Sequence, residues 1–393
     1  MEEFNALEKI VFKKGVFEDL ANFAIKFNKI FIITSQTPKE LYLKALTGFL
    51  NDKNLNFEYF EIKHNLNDKE EILKCTAKAN GCDCVISLGA GKVSDISKMV
   101  AKNLKLPLIV VPTTVSHFGY FSNYAYINNG ITTEKISCDY PAKIFIDENI
   151  ISKSPEKFIF SSCCFIFSFI EVYFSKMVEG GFFSEDFAYE INSIKRIVNK
   201  TAGLLNWLNL NKEMYVLNLM DNLIELFSAV SGFDCDFPAI DLASLNFSDN
   251  LNTNFGRRAL TYSDAILNIY KFFWSDKNLS YKNVPNYEKL IKILQKNQKN
   301  SKFFENFVEK FKNLTSKQYF LKAKSLRPNI LATIILETEK ISKLSKRIMS
   351  TFAKNEYRTI NEESFYDDLS YVALTSNSFQ LNSLMRLGYL NLA

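Results

Sequence analysis

The stretch CVISLGAGKVSDISKMVAKNLKLPLIVVP, residues 84–112, decides the fold. An apolar run of strand length (84–88) leads into two glycines, a segment with helical spacing follows (93–104), and a second apolar run ends the stretch (107–112). Strands that alternate with helices indicate a parallel sheet with helices on both faces.

The same alternation extends outward through the first 150 residues. We predict further strands at KIFIITS (29–35), FEYFEI (57–62), YAYI (124–127) and KIFIDEN (143–149), with helices at 38–50 and 68–80 and a loop at NNGITTEK (128–135). After SKSPEKF (152–158) the periodicity becomes mainly helical. The sequence therefore predicts an N-terminal α/β domain with a mostly parallel dinucleotide-binding sheet (1–154), followed by an all-α C-terminal domain (155–393) that closes a cleft.

Composition excludes several classes of protein. Hydrophobic residues make up 47% and charged residues 23% of the chain, as in soluble globular proteins. The net charge is only +5, and the lysines of 282–317 alternate with Glu and Asn, which indicates a solvated helical face and no nucleic-acid site. The apolar segment 158–174 is interrupted by Glu171 and serines and is shorter than a membrane span, so we predict a buried core helix.

Cysteine usage and the first residues indicate a cytoplasmic protein. The seven cysteines form no CxxC pair and no zinc-ribbon spacing, which is typical of free thiols in a reducing compartment. The N-terminal residues begin with acids and have no apolar core of a signal peptide.

The glycine turn predicts an anion site. Gly89, Ala90 and Gly91 follow a strand and allow the backbone to approach a phosphate, and the helix after them directs its N-terminus toward it. Asp95 lies in the first helical turn, and Lys98, one turn later, could reach a ligand or pair with Asp95. The pattern is neither GxGxxG nor a Walker loop, and a structural role for the glycines in a tight turn stays open.

A second polar loop, PTTVSHFGYFS (112–122), follows the next predicted strand and should lie at the same sheet edge. It supplies hydrogen-bond donors at Thr113, Thr114, Ser116 and Ser122. His117 could act as a general acid toward a carbonyl oxygen, because its ordinary pKa is near neutrality, or it could be structural.

Both loops resemble a known family. GAGKVSDISK resembles the GGGxxxDxxK turn of the iron-containing alcohol dehydrogenase and dehydroquinate synthase superfamily, and PTTVSHFGYFS resembles the PTxxSHDGxxS loop of its sn-glycerol-1-phosphate dehydrogenase branch. FKKGVFEDL (12–20) is similar to the opening of that branch, and the resemblance covers about residues 8–150.

The resemblance implies binding of NAD or NADP, with the pyrophosphate at Gly89, Ala90 and Gly91. It implies Asp95 and Lys98 near cofactor or substrate, and the four hydroxyl residues of the second loop around the nicotinamide half. It also implies a small phosphorylated polyol as substrate (the branch reduces dihydroxyacetone phosphate with a divalent metal, usually zinc) and, by analogy, a homo-oligomer.

The metal ligands of the family are not matched. They are one Asp and two His of the helical domain, whereas the two histidines here, His64 and His117, both lie in the N-terminal half. The resemblance places Phe165 at the Asp, and Ser244 and Phe255 at the two His; Phe118 replaces an Asp that lies beside the substrate. We therefore predict no zinc site, although carboxylates could rebuild a site suited to Mg or Mn; these are Asp234, Asp236, Asp241, Asp249 and Glu171.

Three functions remain open from the sequence. The first is an NAD(P)-dependent dehydrogenase acting on a small polyol or triose phosphate. The second is a catalytically inactive or repurposed, metal-free protein that binds a nucleotide or sugar phosphate. The third is a metal-free lyase or cyclase.

Overall fold

The structure is a computed structural model that describes residues 6–63, 68–128, 133–183, 188–205, 210–231, 237–244, 255–275, 316–352 and 369. Its strands are β1 (Ile10–Lys13), β2 (Lys29–Thr34), β3 (Asn56–Glu61), β4 (Cys84–Leu88), β5 (Leu108–Val111), β6 (Tyr124–Asn128), β7 (Thr133–Ser137) and β8 (Lys143–Asp147).

Within these residues, six strands form one sheet in the order β1-β8-β5-β4-β2-β3, and every pair of neighbours is parallel. The predicted parallel sheet is confirmed. Its central strands β4 and β5 are buried along their whole length, which explains why every residue of the two strands except Ser87 is apolar.

The helices before residue 156 are α1 (Ala6–Lys9), α2 (Phe17–Ala24), α3 (Gln36–Pro38), α4 (Lys44–Asp52), α5 (Asp68–Lys78), α6 (Lys92–Leu104) and α7 (Glu148–Ile151), with a π-helical segment, Lys39–Leu43, joining α3 to α4. From Glu156 onward every element described is a helix: α8 (Glu156–Phe183), α9 (Ala188–Leu204), α10 (Lys212–Ser231), α11 (Pro238–Ser244), α12 (Phe255–Ser275) and α13 (Ser316–Phe352). The predicted change from α/β to helical structure is confirmed.

Two strands differ from the sequence-based assignment. β1 was not predicted, because it has only four residues and none of them is fully buried. The prediction of a loop at 128–135 is wrong in part, since β7 pairs antiparallel with β6. β7 has no buried residue, and partners outside its own sequence support it: the Lys102 ammonium donates to the Ser137 carbonyl, and Lys69 pairs with Glu134.

Asp147, at the end of β8, connects three elements. Its buried carboxylate accepts the Val16 N–H at 3.1 Å and the Asn149 N–H at 2.8 Å, and thereby caps the N-termini of α2 and α7. One side chain therefore fixes two helices to the strand that carries it.

The chain divides into two compact units. The first comprises Met1–Ile166, Gly203–Gly232 and Ser244–Asn246, and the second comprises Phe167–Ala202, Phe233–Ala243 and Phe247–Ala393. The first unit thus includes the start of α8 and all of α10, beyond the predicted domain boundary after residue 154. That boundary, as a division between functional domains, stays a prediction.

One segment of the described chain, Glu156–Glu179, is long and apolar enough to cross a membrane by length and composition alone, and 94% of its most apolar stretch is buried within the protein. A buried core helix of a soluble protein can have the same length and apolar composition. The predicted absence of a membrane span stays a prediction.

Candidate functional site

The glycine turn after β4 needs glycine at two positions, for different reasons. A Cβ at Gly89 would lie 2.7 Å from the Val93 Cβ, so that the first turn of α6 leaves no room for a side chain. Gly91 has φ +51° and ψ −116°, a conformation that residues with a Cβ rarely adopt. The turn therefore requires glycine at both positions, and its last residue, Gly91, directly precedes α6.

The N-terminus of α6 offers donors to an anion. Gly91 is the N-cap residue and carries no side chain to cap the helix, so the first-turn N–H groups depend on other partners. The Ser94 hydroxyl in this turn is buried and has no hydrogen-bond partner in the described structure. The Val93 N–H in this turn donates to the Ala90 carbonyl at 3.2 Å. Backbone amides at a helix N-terminus, together with the helix dipole, suit a phosphate.

Lys98 holds the loop that follows β5. It is buried, and its ammonium donates to the Ser122 hydroxyl at 2.9 Å, to the Tyr124 carbonyl at 2.8 Å and to the Gly119 carbonyl. Burial lowers the pKa of Lys98, and the charge of Asp95 opposes that effect. All three donors have partners inside the protein, so Lys98 and Ser122 position the loop, and a direct contact of either with cofactor stays a prediction.

Asp95 connects α6 to β6, the strand that pairs antiparallel with β7. Its carboxylate accepts the backbone N–H of Tyr126, and burial raises the pKa of Asp95 to about 7, against the lowering effects of Lys98 and of that hydrogen bond. The role predicted for Asp95 near the cofactor remains untested.

Tyr120 organises the loop from within and was missed by the sequence analysis, because it occupies an unspecified position of the motif. Its hydroxyl donates to the Thr114 carbonyl at 2.6 Å and lies 2.6 Å from the Ser116 hydroxyl. The Val115 N–H donates to Ser154 at 2.9 Å. Thr113 is buried, and the Thr114 hydroxyl is buried with no partner in the described part of the chain, which makes it available to a ligand.

His117 is a neutral side chain in a fixed position. Its Nδ1 accepts the Gly119 N–H at 2.8 Å, and its ring stacks on Tyr120 with centroids 5.1 Å apart. Burial, with a smaller effect of the Lys98 charge, lowers the pKa of His117 to about 4. Nδ1 therefore accepts, and a proton on this ring at neutral pH is on Nε2. The predicted general-acid role is confined to that atom and stays a prediction.

Aromatic rings occupy the two positions at which the resemblance places carboxylates. The rings of Phe118 and Phe165 meet edge to face with centroids 4.9 Å apart, and Phe227 lies 5.1 Å from Phe118. All three side chains are buried. A divalent metal needs N, O or S donors, so this cluster does not fit one.

No group of three or more His, Cys, Asp or Glu side chains that could hold a metal occurs among the residues described. Glu171 is buried, and its Oε1 accepts the hydroxyls of Ser175 and Tyr270 at 2.8 and 3.1 Å. Phe255 begins α12 and Ser244 ends α11. His64, Asp234, Asp236 and Asp249 lie outside the described residues, so the absence of a zinc or rebuilt carboxylate site stays a prediction.

Comparisons with known proteins agree with the resemblance. Residues 11–155 match the family model of the iron-containing alcohol dehydrogenases. A glycerol-1-phosphate dehydrogenase of Methanosphaera stadtmanae is 32% identical over 127 residues, which are 32% of this chain and 36% of the relative. The corresponding protein of Methanococcoides burtonii is 29% identical over 133 residues, 34% of this chain and 37% of the relative. The match thus spans little more than a third of the length of these relatives.

Solved structures share the fold over nearly the whole chain. An iron-containing alcohol dehydrogenase from Thermotoga maritima superimposes with a TM-score of 0.59 at 12% identity, covering 94% of this chain and 92% of that chain. A glycerol dehydrogenase from Schizosaccharomyces pombe gives 0.53 at 16% identity, covering 90% and 94%. At these identities the likeness concerns the fold alone. The chain has the fold of the iron-containing alcohol dehydrogenases, and its residues 11–155 are similar to that family and to its glycerol-1-phosphate dehydrogenases.

Proposed function

We propose that this chain is an NAD(P)-binding oxidoreductase of the glycerol-1-phosphate dehydrogenase type, acting on a small polyol or triose phosphate. The observation that carries the proposal is the turn Gly89–Gly91, which leads directly into α6. Gly89 has no room for a Cβ beside Val93, and Gly91 has a positive φ, so the turn requires glycine at both positions. A nicotinamide nucleotide would supply the hydride transfer.

Different residues of the chain would bind different parts of the nucleotide. The amides of Gly91 and of the first turn of α6 would hold the pyrophosphate. The Thr114 hydroxyl, buried and without a partner in the described structure, would donate to the nicotinamide half. Lys98 keeps the loop that carries Thr114 in place through its three hydrogen bonds. A cytoplasmic location and a homo-oligomer belong to the same proposal, supported by cysteine usage and by family analogy.

A second function is favoured by the aromatic cluster Phe118, Phe165 and Phe227. A metal that polarises a carbonyl contributes several kcal/mol to transition-state stabilisation, and apolar rings supply no such effect. A repurposed, metal-free protein that binds a nucleotide or sugar phosphate would have this arrangement.

Calorimetric titration of the chelator-treated chain with NADH and NADPH tests the shared part of both functions. We expect binding that Gly91→Ala weakens at least tenfold, because alanine strains the turn, whereas Gly48→Ala, in a helix with open space around its Cα, leaves affinity unchanged. A folded protein that binds neither nucleotide would refute the proposal.

Turnover separates the two functions. The chain is incubated with NADPH or NADH and dihydroxyacetone phosphate, with and without added Zn²⁺ or Mg²⁺, and oxidation of the nucleotide is followed by absorbance. Oxidation that depends on the triose phosphate supports the dehydrogenase. Binding without oxidation under any of these conditions supports the repurposed protein.

A further inference from the structure

The end of β2 lies beside the glycine turn. In the sheet, Thr34 of β2 is level with Leu88 of β4, so Ser35 leaves β2 where Gly89 leaves β4. Neighbouring strands are about 4.8 Å apart. A dinucleotide with its pyrophosphate at Gly89–Gly91 and its nicotinamide half toward the loop after β5 extends its adenosine half in the opposite direction, over the end of β2.

The residues at this end of β2 lack a carboxylate. In dinucleotide-binding sheets an Asp or Glu near the adenosine ribose accepts its hydroxyls and disfavours a 2′-phosphate. Here the sequence from Thr34 to Lys39 is TSQTPK, which offers hydroxyls, an amide and one cation. Ser35 is the N-cap residue of α3, yet its hydroxyl makes no capping hydrogen bond.

The nearest carboxylate on the neighbouring strand is already paired. Glu61 ends β3 level with Thr34, and its Oε2 lies 2.7 Å from the Lys39 Nζ. About a third of each side chain is exposed, 36% for Lys39 and 34% for Glu61, so the lysine can turn toward a ligand. Lys39 therefore offsets the charge of Glu61, and the other acid of this segment, Glu40, accepts a hydrogen bond from the Gln36 Nε2 at 3.1 Å.

We propose that this chain discriminates in favour of NADP(H), with Ser35 and Lys39 receiving the 2′-phosphate of the adenosine ribose. The inference rests on the proposed nucleotide binding and assigns the residues that select between the two nucleotides. A hydroxyl can donate to a phosphate oxygen, and an ammonium adds a charge-assisted hydrogen bond.

The test is the ratio of the dissociation constants for NADH and NADPH, measured by calorimetric titration of the full chain. We expect NADPH to bind at least about tenfold more tightly, the effect of one charge-assisted hydrogen bond. Lys39→Met should reduce this preference to about threefold or less. Lys44→Met, which removes an exposed lysine farther along the chain, is the matched control and should not change the ratio.

Three further variants test which residues discriminate between the two nucleotides. Ser35→Asp should reverse the preference toward NADH, while Ser35→Asn, of the same size but uncharged, should not; both residues suit an N-cap position, so the fold should be kept. Glu61→Gln should tighten NADPH, because it releases Lys39 from its ion pair. Thermal unfolding verifies that each variant is folded.

The outcomes are separable. If the folded chain binds neither nucleotide, the proposed function fails and the inference with it. If both bind and NADH is equal or tighter, or if Lys39→Met and Lys44→Met leave the same ratio, nucleotide binding stands and the assignment of Ser35 and Lys39 is overturned. A loss of NADH affinity in Glu61→Gln would show that Glu61 contacts the ribose, which also overturns it.

Discussion

Replacing Lys98 with methionine tests whether this lysine belongs to the architecture or to the ligand. Methionine is close to lysine in length, so the packing around the stem is kept while the ammonium is lost. The change removes three hydrogen bonds, to the Gly119 carbonyl, the Ser122 hydroxyl and the Tyr124 carbonyl. Ser122 can still donate to one of the two carbonyls, at 3.1 or 3.2 Å. The buried acceptors left without a donor each cost about 1–3 kcal/mol.

Relief of the desolvation that lowers the pKa of Lys98 offsets part of this cost. We therefore expect the free energy of unfolding to fall by about 3 kcal/mol, which corresponds to a drop in Tm of roughly 6–12 °C for a unit of this size.

The assay is urea and thermal unfolding followed by circular dichroism, without nucleotide. Lys102→Met is the control: it lies one turn later on α6, and its Nζ donates to the Ser137 carbonyl at 2.7 Å at an exposed site, so its effect should stay within about 0.5 kcal/mol. Equal stability of the two variants would refute the structural role of Lys98. In that case any loss of nucleotide affinity in Lys98→Met would have to come from direct contact.

Three other changes have defined outcomes. Gly89→Ala forces its Cβ against Val93 and should lower the free energy of unfolding by about 1–3 kcal/mol in urea titrations, an effect absent if the turn is loose. Asp147→Ala removes the acceptor for two helix N-termini and should cost about 2 kcal/mol or more by thermal unfolding, whereas an effect below 0.5 kcal/mol would contradict the shared cap. Burial raises the pKa of Glu171 from 4.5 to about 7. The protonated carboxyl therefore contributes folding stability that is complete below about pH 4.5 and is lost as the pH rises through about 7. Glu171→Gln should remove this pH dependence and be more stable than the native chain at pH 8 by up to about 3 kcal/mol, and parallel pH profiles of the two proteins would refute it.

The sequence predicted the strands at the centre of the sheet because burial on both faces favours apolar residues at nearly every position, with Ser87 the polar exception in β4 and β5. β4 and β5 are read directly from CVISL and LIVV in this way. β7 could not be predicted, because its pairing with β6 and its contacts with lysines from other elements hold a segment that is polar by itself.

The glycine turn and the polar loop were likewise found from residue types, since only glycine permits the turn and only hydroxyls and the imidazole offer donors there. The sequence could not decide what these donors do. Lys98 and Ser122, which the resemblance places near cofactor or substrate, hydrogen-bond within the protein, and their contact with a ligand stays a prediction. Tyr120, at an unspecified position of the motif, makes hydrogen bonds within the loop. Residue type fixes the hydrogen bonds that a side chain can make. The partners it meets depend on distances between segments far apart in the chain, and folding alone sets those distances.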